Sequence, residues 1–364
     1  MKKHLFKALV AIMAVSAMTF FTSCKEDPEE NNTNTPIDVN VENPRYMEAV
    51  DGNIYVTCYY PMSVIRFDPA QQAITGICNL GQFHPEGIAA VGGKLYIASS
   101  NISDENFNYS YDNKLYVVDI ATFKLVDSII VGYNPAKVKK LDNTHIVFNT
   151  LGNYSTDFGG SYIMNVNSKE IVNLNIALTN FDVYGGNIYG YATTYNADYT
   201  TNDVFYKIDG NTHQSTTILS DFSSNDGAYG ININPNNGNI IVTTNGNYTA
   251  AGDCYVFASD GTTRMSAVQM GNLPSKAVAI DGDNLLVLNE GGWGANNSGV
   301  SRLNVAGSSA TVNYFADNNG RGLGDVAQDM IILNGKAYIT VTFSNSIETM
   351  DVNTGKSTRF ATTK

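Results

Sequence analysis

The sequence predicts an all-β fold, a seven-bladed β-propeller of four-stranded antiparallel blades. Three observations predict it. A two-strand unit recurs seven times between Pro44 and Lys364, each copy is followed by a third strand ending in Asp or Asn, and the copies are spaced by about 40 to 50 residues, as propeller blades are. In chain order the paired strands run from Arg45 to Val50 and Asp51 to Thr57, Glu86 to Val91 and Gly92 to Ala98, then Lys137 to Leu141 and Asn143 to Phe148. The fourth copy pairs Phe181 to Tyr184 with Gly186 to Gly190, and the fifth Gly230 to Ile233 with Gly238 to Thr243. The last two pair Lys276 to Ile280 with Asn284 to Leu288, and Asp329 to Leu333 with Gly335 to Thr340. The third strands end at Asp68, Asp119, Asn165, Asp209, Asp260, Asn304 and Asp351, and a fourth strand follows each.

With 43% hydrophobic and only 15% charged residues, the chain has ample material for one large closed core. Residues 1–23 read as a lipoprotein signal peptide: Lys2, Lys3 and Lys7 form a basic start, Leu5 to Phe21 an apolar stretch, and Cys24 follows Thr22-Ser23 as the expected lipidation site. Residues 24–43 read as a tether, acidic at Lys25-Glu26-Asp27-Pro28-Glu29-Glu30 and then rich in Asn, Thr and Pro, a composition that cannot bury enough surface to fold. Residues 44–364 form the propeller. The expected location is the outer membrane, lipid-anchored and facing outward.

Loss of the leader's three lysines would take the formal charge from −12 to −15. Nucleic acid and anionic membrane surfaces need a basic footprint, so both are poor partners for this chain. Cys58 and Cys78 fall on the second and fourth strands of one blade, about 10 Å apart by strand spacing and too far for a disulfide. With Cys254 they are expected as buried thiols.

A four-stranded meander places its first-to-second and third-to-fourth connections at one end, and its second-to-third and blade-to-blade connections at the other. The first end has minimal turns, such as Asp51-Gly52, Gly92-Gly93 and Asn334-Gly335. The other end carries long second-to-third loops, at Ser100 to Asn113, Leu151 to Gly160, Thr193 to Asp203, Asn245 to Asp253 and Glu290 to Ser298. These supply Phe107, Tyr109, Tyr111, Tyr154, Phe158, Tyr195, Tyr199, Tyr248 and the only tryptophan, Trp293, interleaved with amides that include Asn296 and Asn297. Aromatic faces with amides suit a neutral ligand rich in hydroxyls or amides. The plainer alternative is that Asn and Gly form turns and Tyr fits sheets.

Blade-to-blade connections at the same end feed the innermost strands and bring Arg45, His84, Glu86, Lys137, Asp182, Tyr229, Lys276, Arg321, Asp325, Gln328 and Asp329 to the channel mouth. Tyr59 and Tyr60, after the second strand of the first copy, join these candidate ligand contacts. Any one of the charged residues is equally read as half of a rim salt bridge. No nucleophile motif, dinucleotide fingerprint or metal-ligand spacing is present, and Gly320-Arg-Gly-Leu-Gly324 precedes a strand, not a helix. The chain is therefore expected to be a non-enzymatic binding protein with no cofactor.

Asn289-Glu-Gly-Gly-Trp-Gly-Ala-Asn-Asn-Ser-Gly-Val-Ser301, Gly322-Leu-Gly-Asp-Val-Ala-Gln-Asp-Met330 and His84-Pro-Glu-Gly-Ile-Ala89 resemble segments of the YncE-like propeller lipoproteins of Bacteroidota. That family includes a surface cobalamin-binding protein that works with an outer-membrane vitamin B12 transporter. The Asn-Glu-Gly segment stands near the N-terminus in such proteins and in the last two blades here, a circular shift that a closed ring tolerates. The resemblance implies capture of cobalamin or another corrinoid and its transfer to a TonB-dependent transporter. Two alternatives stay open: a glycan-binding lipoprotein of a polysaccharide-uptake system using the same aromatics, and a protein-interaction scaffold or adhesin. For ring closure, Ser357 to Ala361 is expected to complete the last blade, with Ile37 to Val41 adding or replacing an edge strand.

Overall fold

The computed structural model describes residues 36–196, 201–220, 222, 227–248 and 250–363. The leader, Cys24, the tether up to residue 35 and Tyr199 lie outside the described residues. Seven four-stranded antiparallel sheets follow one another along the chain, each an uninterrupted meander, at 42–79, 85–130, 135–173, 180–218, 228–272, 274–311 and 327–361. The first strand of each blade touches the first strands of its neighbours, and that of blade 1 touches that of blade 7, so these strands surround the central axis and the ring is closed. The fold is a seven-bladed β-propeller.

The second strands explain why the sheets stack. In a strand, successive side chains point to opposite faces, and here both faces are covered. In blade 2, Leu95 and Ile97 enter the core between blades 1 and 2, whereas Tyr96 and Ala98 enter that between blades 2 and 3. Ile146 and Phe148 against Val147, and Leu285 and Val287 against Leu286 and Leu288, divide in the same way. The core is thus seven apolar clusters, one per blade interface.

The recurring Asp or Asn at the end of the third strand caps the following turn. Asp68 Oδ1 accepts the Ala70 and Gln71 amides at 2.8 and 3.1 Å, and Asp209, Asn165 and Asp351 each accept two amides likewise. Asp119 and Asn304 accept one each. Asp260 does the same work from beyond its strand, which ends at Phe257.

Ser357–Ala361 completes blade 7, as expected. Ile37 to Val41 adds no strand. It crosses the seam between blades 1 and 7, with the Ile37 amide donating to Ile74 O, the Val41 amide to Thr362 O, and the Val41 side chain fully buried. Every blade is therefore built from consecutive strands, and the seam is closed by side chains. The Met47 amide donates to Asp329 Oδ2 at 2.9 Å, and the Thr342 hydroxyl to Pro44 O at 2.9 Å. A six-residue helix, Tyr314–Asn319, fills the groove between blades 6 and 7 with Tyr314 and Phe315, and Gly320 ends it in the left-handed region at φ 64°.

Candidate ligand-binding face

Two of the expected long loops are continuations of the sheet. In blade 2 the second and third strands, Lys94–Ser103 and Tyr109–Asp119, stay paired out to Ser103↔Tyr109, leaving only 104–108 as the tip. In blade 4, Asn187–Tyr195 and Thr201–Asp209 pair out to Tyr195↔Thr201. Tyr109, Tyr111 and Tyr195 are therefore strand residues, because alternating Ser, Asn and Tyr sustain the ladder beyond the blade body. The blade 2 hairpin carries Tyr109 and Tyr111 in stacked contact, centroids 6.3 Å apart, and Tyr154 of blade 3 meets Tyr111 edge-on at 6.1 Å. Tyr109 is 57% exposed, Tyr154 64% and Phe158 77%, so blades 2 and 3 present an aromatic ridge to solvent.

Across the ring, half-exposed Trp293 lies 6.3 Å from Phe343. Its loop is held from inside: both Asp325 carboxylate oxygens accept the Gly294 amide at 3.0 Å, Asn297 Oδ1 accepts the Gly292 amide, and Asn296 adopts a left-handed conformation. In blade 3, Asn153 Oδ1 likewise accepts the amides of Ser155, Thr156 and Asp157. The amide carbonyls of Asn153 and Asn297 shape the loops, and the aromatics are what the loops present.

Six of the expected residues form one network at the boundary of blades 1, 2 and 7. Arg45 donates to Gln328 Oε1 at 2.5 Å and to Glu86 Oε2 at 3.2 Å, and the Tyr59 hydroxyl donates to the other Glu86 oxygen. The Arg45 guanidinium sits 4.8 Å from the Tyr59 ring centre, His84 stacks on Tyr59 at 4.1 Å and 11°, and Tyr60 meets His84 edge-on. Burial pushes the His84 imidazole below its ordinary range, and burial raises the Tyr59 phenol well above its own, with the Glu86 charge adding to it. The arrangement ties blades 1, 2 and 7 together at the rim of the channel.

Inside the rim is a cavity of about 370 Å³, small-ligand size, lined by the inner strands. Lys276 is ion-paired with Asp329, and Lys139 with Asp182 at 3.3 Å. Carboxylates and amides on inner strands also tie blades together: Asp182 Oδ2 accepts the Ile233 amide, Asn232 Oδ1 the Ala277 amide, and Glu48 Oε1 the Ala90 amide. Of the expected residues Lys137, Tyr229, Tyr248, Lys276, Gln328 and Asp329 line this cavity.

Arg321, expected at the channel mouth, does not line it. It makes paired bonds at 3.0 and 2.8 Å to Glu348, a fully buried carboxylate that also takes Arg359 and the Ser357 hydroxyl. A buried charge demands partners, and Glu348 draws Arg321 between the blades to provide one. Glu48, Lys139, Asn180, Asp203 and Glu290 line the cavity without having been singled out as ligand contacts. The signal was available for Glu48 and Lys139: a charged residue alternating with an apolar one on an innermost strand must face the channel. Among the described residues no cluster of three or more His, Cys, Asp or Glu is placed to hold a metal ion. Cys58, Cys78 and Cys254 are free and buried; burial pushes the Cys78 thiol up to about 11 and, with the Asp253 charge, the Cys254 thiol up to about 12.

No protein-family model matches the chain, and no curated protein matches it. Solved structures do share its architecture. It is similar to the β-propeller domain of Cps50 (Swd1) from Myceliophteria thermophila at 7% identity and TM-score 0.58, over 89% of this chain and 98% of that one. It is similar to AztD from Citrobacter koseri at 9% identity and TM-score 0.55, over 89% and 87%. It is also similar to hydrazine synthase from Kuenenia stuttgartiensis at 13% identity and TM-score 0.57, over 90% and 97%. At such identities the shared property is the fold, and the fold is that of a propeller.

Proposed function

We propose that this chain is a non-enzymatic ligand-capture propeller that takes cobalamin or a related corrinoid on its aromatic face and passes it to a TonB-dependent transporter. The observation that carries the reading is the pair of exposed aromatic edges, Tyr109–Tyr111–Tyr154 on blades 2 and 3 and Trp293–Phe343 on blades 6 and 7, flanking one polar channel mouth. A corrinoid is too large for a 370 Å³ cavity and would lie across the face, with its ring and base against the aromatics and its amides over the mouth. The resemblance to YncE-like propeller lipoproteins of Bacteroidota supports the same ligand. In this reading Cys24 is the lipid anchor, and the tether holds the propeller on the outer face of the outer membrane.

Trp293 is the only tryptophan, so quenching of its fluorescence by cyanocobalamin reads this face directly. Tyr111→Ala is expected to weaken the interaction by about 1–2 kcal/mol, roughly 5- to 30-fold in Kd, and Trp293→Ala to do so by calorimetry. His213→Ala, in a third-to-fourth turn at the opposite end, is expected to change nothing. Equal losses on both ends would sink the assignment, and retention of a glycan in place of a corrinoid would move the ligand class to polysaccharide.

A further inference from the structure

The channel cavity holds unmatched charges of opposite sign. Lys139 and Lys276 have carboxylate partners, but among the described residues no carboxylate lies within ion-pair distance of Lys137: its ammonium donates to the neutral Asn180 Oδ1 at 2.6 Å and lies 5.4 Å from the Phe181 ring centre, with the Asp182 and Asp329 charges farther off. Glu290 is the converse. Among the described residues no cation lies within ion-pair distance of its carboxylate, whose hydrogen-bond donor is the Tyr229 hydroxyl at 2.8 Å. Both residues line the same cavity, as do Tyr229 and Tyr248, which meet edge-on at 6.0 Å beside Glu290.

Burying a charge without a counter-charge is costly, and the group responds by shifting toward its neutral form. Burial and the neighbouring Lys139 push the Lys137 amine down to about 7, and burial pushes the Glu290 carboxyl up. A monoanion would relieve Lys137 and leave Glu290 as it is, and a monocation would do the reverse. One molecule bearing both charges would pair both, and tyrosine faces next to Glu290 add an attractive surface for its ammonium.

We infer that the channel is a binding site for a small zwitterion, an amino-acid-like molecule whose carboxylate meets Lys137 and whose amine meets Glu290. This site lies in the channel whose mouth opens on the aromatic face, and it does not rest on the corrinoid reading.

The test is thermal denaturation and calorimetry of the chain from Pro36 to Lys364 with millimolar glycine, β-alanine, γ-aminobutyrate and 5-aminovalerate, against butyrate and butylamine as single-charge controls. At least one amino acid is expected to raise Tm by about 2 °C or more, with the controls well below it. Binding at pH 8 is expected to draw a proton onto Lys137, seen as a heat that changes with the buffer's ionisation enthalpy. Lys137→Met and Glu290→Gln should each abolish the preference, and Tyr111→Ala should leave it intact. If the amino acids act no better than butyrate or butylamine on the unaltered protein, the inference is overturned, whether or not either variant folds.

Discussion

Asp68 shows what a single side chain does in this repeat. It accepts two backbone amides of its turn and the Gln71 side-chain amide at 2.7 Å, and these bonds hold its carboxyl below the usual range against the opposing effect of burial. Asp68→Ala is expected to cost about 1–3 kcal/mol in urea denaturation at pH 7. A carboxyl with a depressed folded pKa contributes charge-dependent stability that is full above its unfolded value and disappears as pH falls through the folded value, so the cost should shrink in strong acid to what the neutral carboxyl's hydrogen bonds contribute. Lys137 runs the other way. Its amine is lowered to about 7 in the fold, so the unfolded chain holds the proton more tightly and stability rises with pH from about 7 toward the ordinary lysine value. Lys137→Met is therefore expected to gain more, or lose less, Tm at pH 7 than at pH 10; no difference between the two would show the amine is not desolvated.

At the scale of the element, the sequence made the meander legible because its period-two apolar strands and Asp or Asn turn caps are local signals. Seven copies of them are independent repetitions of one pattern. The reach of a hairpin was not legible. Ser100 to Asn113 reads as loop by composition, yet Asn101, Ile102 and Ser103 pair with Tyr111, Ser110 and Tyr109 because a neighbouring strand in register is enough to extend the ladder. Nor was the helix Tyr314–Asn319, whose six residues are too few to show a period and which is fixed by burial of Tyr314 and Phe315 between blades. Replacing residues 102–110 with Asn-Gly would join Asn101 to Tyr111 by a two-residue turn and remove Tyr109. The expected outcome is an unchanged circular-dichroism spectrum and Tm within a few degrees, with corrinoid affinity reduced roughly tenfold. Loss of the fold would show the hairpin to be part of the scaffold.

The whole molecule separates scaffold from site more sharply than its sequence does. Interface cores follow from alternation and were foreseeable, whereas partner choice among polar residues depends on three-dimensional proximity. Arg321 and Arg45 illustrate the difference: both were expected at the channel mouth, but one is drawn to buried Glu348 between blades and the other to Glu86 and Gln328 at the rim. The same limit hid Glu290, which the sequence places in a loop and the ring brings against Tyr229, 61 residues away. Aromatic enrichment on one end of the chain's repeats is visible in the sequence, but which aromatics touch one another needed the closed ring. What that face binds is settled most directly by titrating cyanocobalamin into the chain from Pro36 to Lys364 in a calorimeter, with base-free cobinamide alongside. Saturable one-to-one binding, weakened in Tyr111→Ala, is the result expected of a corrinoid-capture face; no heat at micromolar protein with either corrinoid would contradict it.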